Sequence, residues 1–194
     1  MRSSKSPRNM PPLQHEEEPM MGLEPLERLR FFSGRLLSAD DLHNEQEYFL
    51  TRLRRHNRFL HGWGVVSGLG VSLSGKDTLV VQPGLAIDCA GNEIVLSEKS
   101  ELCVKGMAGK YLVLKYAEIH IAPTPSFSNA NNSDASEFSR VRESAQVELA
   151  AVDPSSNHRG MGRGTPGCGQ PHALCLATLS KQGSRWRVIV SRSS

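Results

Sequence analysis

The sequence lacks any apolar run near the roughly 20 residues that a bilayer-crossing helix needs, so membrane insertion is not expected. It also lacks a strong charge of one sign. A formal net charge of +3 over 194 residues is too small to point to nucleic acid through bulk electrostatics. Residues 1–21 are basic, then Pro-rich, then acidic at Glu16, Glu17 and Glu18, with no apolar stretch of the secretory kind. The expectation is synthesis and retention in the cytoplasm, with release by lysis or as part of an assembly. Cysteine is sparse and never forms a CxxC pair. Cys89, Cys103, Cys168 and Cys175 read as free buried or loop thiols. HExxH, GxSxG and GxxxxGK[ST] are absent too, so hydrolase and kinase readings find no local support and no enzyme is expected.

What is present is organised in three parts. Residues 1–25 are rich in Ser, Pro, Lys and Glu without apolar periodicity, and read as a flexible arm. Residues 26–64 read as a helical docking segment. Phe31 and Phe32 form a short apolar patch before a turn at Ser33-Gly34. Ser38 then precedes Ala39, Asp40 and Asp41, which is a variant of the capping box with carboxylates at the positive helix end. The predicted helix runs from Ala39 to about Leu60. Leu42, Phe49, Leu53, His56 and Leu60 fall near one stripe. Arg52, Arg54, Arg55 and Arg58 crowd its C-terminal half, where cations suit the dipole, and Gly62 and Gly64 end it.

From residue 65 the apolar period changes to two, predicting a β domain over 65–194. Val65 to Leu73 reads as a strand broken by Gly68 and Gly70, followed by Leu79–Val81. Leu85–Asp88 and Glu93–Leu96 flank a tight hairpin turn. Residues 110–122 are apolar on both faces in their first half, as a central strand would be. Residues 140–152 alternate, and two strands over 174–191 close the chain. Segments 123–139 and 153–171 read as long loops. About eight strands in hairpin order, with no βαβ alternation, predict an α+β, mainly β architecture: an N-terminal arm and one long helix followed by an antiparallel sandwich or barrel.

The candidate sites follow from these placements. Arg52, Arg55 and Arg58 suit the acidic surface of a protein partner or a phosphate; the plainer alternative is a solvated helix face that satisfies the dipole. Cys168, His172 and Cys175 offer zinc-type ligands, but without the CxxC pair that usually opens a zinc knuckle, so free thiols or a disulfide are favoured. His56 and His61 bracket the helix end, where a His more often caps or packs than catalyses. Trp63, between two glycines where helix becomes strand, can bury a large area and lock the helix to the sheet. No cofactor is implied.

One resemblance sharpens this reading. It rests on Phe31-Phe32-Ser33-Gly34-Arg35-Leu36-Leu37-Ser38-Ala39-Asp40-Asp41-Leu42, on Glu45-Gln46-Glu47-Tyr48, and on the run from Arg55 to Leu69 (RHNRFLHGWGVVSGL). It extends to Pro83-Gly84-Leu85-Ala86-Ile87-Asp88 and Gly91-Asn92-Glu93-Ile94-Val95. This pattern resembles an uncharacterised family of baseplate- and tail-fibre-associated proteins of contractile phage tails and phage-tail-like contractile injection systems. The match covers roughly residues 27–96. It implies a structural component, resident in a virion tail or injection particle and made in the bacterial cytoplasm. Its implied partners are other tail or baseplate proteins, and a homo-oligomer within the assembly is possible on this pattern. Phe31, Phe32, Arg52, Arg55, Arg58 and Trp63 are the expected docking residues. The rival expectation is a carbohydrate- or receptor-binding β module linked to a tail fibre.

Overall fold

A computed structural model describes residues 24–105, 110–125, 136–154, 166–182 and 185–190. It is an α+β, mainly β protein with one helix ahead of the strands. Helix α1 spans Ala39–His56 and passes into a π-helical turn over Asn57–His61. Among the described residues ten strands follow: β1 Gly64–Gly68, β2 Val71–Ser74, β3 Thr78–Val81, β4 Gly84–Ile87, β5 Glu93–Leu96, β6 Ser100–Cys103, β7 Tyr111–Pro125, β8 Ser136–Ala150, β9 Leu174–Gln182 and β10 Arg185–Val190.

The strands pair antiparallel in three sheets, ordered β1-β4-β5, β2-β3-β6 and β10-β9-β7-β8. All three contribute to one core. Trp63, Leu79, Val81, Ile94, Leu112, Leu114, Leu174 and Leu176 pack together in it. Leu112, Val113 and Leu114 are buried on successive positions of β7, which is also paired on both edges there, with β8 and β9. Both pleat faces are covered, which accounts for the unbroken apolar run in the sequence.

Two expectations change in extent. The hairpin β7–β8 carries its pairing into the segment expected as the loop 123–139, with Pro123 opposite Phe138 and Pro125 opposite Ser136. A proline is tolerated there because only one edge of the strand is paired at that point. Strand β9 pairs with β7 over Tyr111–Leu114, and among the described residues the rest of the hairpin has no third strand in its sheet. Strand β6 was not foreseen. It is short and polar, and it is held by pairing with β3, where Leu79 sits opposite Leu102. The flexible arm expected over 1–25 falls almost wholly outside the described residues, and much of the loop 153–171 does too.

Candidate functional site

The helix starts on its own chemistry. The Ser38 side chain accepts from the Asp41 backbone N–H at 3.1 Å, and Asp41 accepts in return from the Ser38 N–H at 3.1 Å. The backbone hydrogen bond from Ser38 is the main influence lowering the Asp41 carboxyl below the usual carboxylate range. Arg35 bonds Asp41 at 2.7 Å and the Arg30 carbonyl at 2.9 Å. It therefore ties the Phe31-Phe32 turn to the first helical turn. Phe31 and Phe32 themselves stay open to solvent, 53% and 63% exposed.

The far end of the helix is clasped to the β body. Arg54 donates to the Asn92 side-chain oxygen at 2.7 Å. Asn57, the one buried polar residue of the π turn, donates to the Gly91 carbonyl at 3.0 Å. Arg58 donates to the Gly167 carbonyl at 3.0 and 3.3 Å. Arg55 reaches back to the Glu24 carbonyl at 2.7 Å. Two glycines make these approaches possible. A Cβ on Gly91, whose φ is +90°, would lie 2.2 Å from the Arg54 carbonyl oxygen. A Cβ on Gly167 would lie 2.3 Å from the Cys89 carbonyl oxygen.

The hairpin turn that receives the helix is stiffened from within. Asp88 accepts from the Ala90 N–H at 2.8 Å, and from the Asn92 N–H and side-chain amide at 2.9 and 2.8 Å. Burial raises its carboxyl above the usual range, against the pull of these bonds in the other direction. Beside it the Cys89 thiol is pushed up to about 12, mainly by burial, with Cys168 and Asp88 contributing. Such a thiol stays protonated and is a poor nucleophile.

Sequence-derived candidates thus separate into an inner and an outer set. Trp63, 4% exposed, belongs to the core and acts inside the fold. Arg55 and Arg58 bond main-chain carbonyls of this same chain. Arg52 stays outside, its guanidinium 3.4 Å from the Tyr48 hydroxyl. His56 and His61 meet each other, ring nitrogens 3.2 Å apart. Cys175 is buried on β9, whereas Cys168 is exposed in the preceding loop. No group of three or more His, Cys, Asp or Glu among the described residues is placed to hold a metal ion. Among the same residues no helix is long and apolar enough to cross a membrane. Arg54, Asn57, Gly91, Asn92 and Gly167 were not singled out as site residues. Asn57, Gly91 and Asn92 were nonetheless signalled, since all three lie in the runs that carry the family resemblance.

The helix face turned away from the clasp is apolar and open. None of the eighteen residues of α1, all of them described, is buried. Leu42, Phe49 and Leu53 are 55%, 58% and 49% exposed, and Leu60 in the π turn is 61% exposed. They leave an open apolar stripe along an element whose other face is tied down at its C-terminal end. Fold and site define a mainly β body that carries an outward-facing amphipathic helix, hydrogen-bonded to it at the helix's C-terminal end.

Comparison with known proteins finds likeness among solved structures only. No protein-family model matches the chain, and no curated protein matches it. A solved structure, the crystal structure of TssK, superposes over 84% of this chain and 41% of that chain, with a TM-score of 0.45 and 13% sequence identity.

Proposed function

We infer that this protein is a structural component of a contractile tail or phage-tail-like injection particle, placed with baseplate, fibre or sheath-associated proteins and docking on them through its helix. The observation that carries the reading is the open apolar stripe of α1 on a helix clasped to a β body. A free monomer gains nothing from exposing such a stripe, since burying each large side chain is worth about 1.5–3 kcal/mol. The family pattern over residues 27–96 supplies the assembly in which the stripe would be covered. No catalytic step is proposed for the chain.

The carbohydrate-binding alternative has less support. Of the two tryptophans, Trp63 is in the core and Trp186 packs against it. Purification of intact particles, followed by mass spectrometry and electron cryo-microscopy, tests the proposal. The chain is expected in stoichiometric amount at the baseplate or fibre attachment; particles that are complete without it would overturn the reading.

A further inference from the structure

The open face of α1 carries more order than simple amphipathicity. Ala39, Leu42, Gln46, Phe49, Leu53 and His56 follow one another at steps of three, four, three, four and three. That is the heptad seam of a coiled coil, with Leu42, Phe49 and His56 in one of its two core positions and Ala39, Gln46 and Leu53 in the other. All six are exposed. At 3.6 residues per turn this seam lies on the side of the helix opposite Thr51, Arg54 and Arg58, two of which hold the β body. A second helix can therefore approach without disturbing the clasp.

The charges along the helix are divided. Asp40, Asp41, Glu45 and Glu47 lie in the first half; Arg52, Arg54 and Arg55 lie in the second, with Arg58 just beyond. A helix with this division repels a parallel copy of itself and attracts an antiparallel one. In the antiparallel register that overlaps the eighteen residues fully, Leu42 meets Leu53 of a second copy and Phe49 packs beside Gln46. Glu45 and Arg52, which flank the seam on the same side, come together twice by symmetry. Leu36 and Leu37, 92% and 53% exposed just before the helix, extend the surface toward the other copy's Leu60.

We propose that α1 is a homodimerisation element, which pairs antiparallel with α1 of a second copy of this chain through the seam Leu42-Gln46-Phe49-Leu53 and two reciprocal Glu45–Arg52 ion pairs. The interface is isologous, as a two-fold axis requires. It rests on the reading of α1 as a docking helix and deepens it: the seam is taken by a second copy, and the other tail proteins are met by the remaining surfaces of the dimer.

The test uses the full chain in solution. Light scattering over a concentration series is expected to show the mass rising from 21.3 kDa toward twice that value. Phe49→Glu with Leu53→Glu is expected to hold the protein monomeric at every concentration. Circular dichroism should be unchanged, because both side chains are at the surface. Glu45→Arg alone and Arg52→Glu alone are each expected to weaken the dimer at least tenfold, and the double reversal to restore it. A monomer throughout, a trimer, a dimer indifferent to the Glu substitutions, or a charge swap without rescue would each overturn the proposal. Detection of the chain in intact particles is a separate measurement. A monomer that is still found in particles would remove the dimer and leave the structural role standing.

Discussion

The helix and the β body follow different rules of stability. The body hides Leu79, Ile94, Leu112 and Leu114 completely, while α1 hides none of its eighteen residues. The body is held by burial. The helix is held by a capping box at one end and by hydrogen bonds from Arg54, Asn57 and Arg58 at the other. An isolated helix of this length is marginal in water. Here the clasp fixes its last turn, the cap satisfies its first, and the apolar face is left over for binding.

Substitutions can break this contrast in a graded way. Leu114→Ala in the body is expected to cost about 2–5 kcal/mol, read as a lowered urea midpoint. Gly91→Ala is expected to cost about 3 kcal/mol, by combining a left-handed penalty with a backbone overlap. Its signature should be faster amide exchange in α1 than in β7, because the overlap pushes the helix end off the hairpin. Asn57→Leu removes the donor to the Gly91 carbonyl and should cost about 1–3 kcal/mol. Ser38→Ala should cost about 1 kcal/mol and fray the first turn only, visible in amide exchange at Asp41 and Leu42. Phe49→Ala, outside the core, should stay within about 0.5 kcal/mol in dilute monomeric protein.

A pH series sharpens the same contrast at the hairpin under the helix. Burial raises the Asp88 carboxyl above 3.8, its unfolded value. Its contribution is therefore fully present below pH 3.8 and declines as pH rises through the folded value. Measured against Asp88→Asn, the wild-type chain should gain relative stability as pH falls from neutrality. A constant gap across the series would show that the three hydrogen bonds offset burial, and a gap that moved the other way would show that they outweigh it.

Much of the helix was legible in the sequence because its signals are local. Ser38 to Asp41 spans three residues, and the apolar stripe needs only spacing. The hairpin turn between Ile87 and Glu93 and the buried start of β7 were readable for the same reason. The clasp was not. Its hydrogen bonds join residues 34, 38 and 109 positions apart, and two of the three acceptors are main-chain carbonyls. Nothing in the identity of Gly167 announces that its carbonyl will meet Arg58. The arginines were read as facing outward because the dipole explained them without a tertiary contact. Strand β6 escaped notice because pairing with β3, rather than its own residues, makes it a strand.

The clasp also determines how the joint responds to its surroundings. Its shorter contacts end on neutral amide oxygens at Gly91, Asn92, Gly167 and Glu24, while the carboxylates it meets, Glu93 from Asn57 at 3.4 Å and Glu118 from Arg54 at 3.9 Å, are longer contacts. Added electrolyte screens attraction between opposite charges but has little purchase on hydrogen bonds of this kind. The joint between helix and body should therefore keep its angle in concentrated brine. A pull on the helix would pass through Asn57 and Arg58 into the turns at 88–92 and 167–169, so the molecule behaves as a bracket with a stiff elbow.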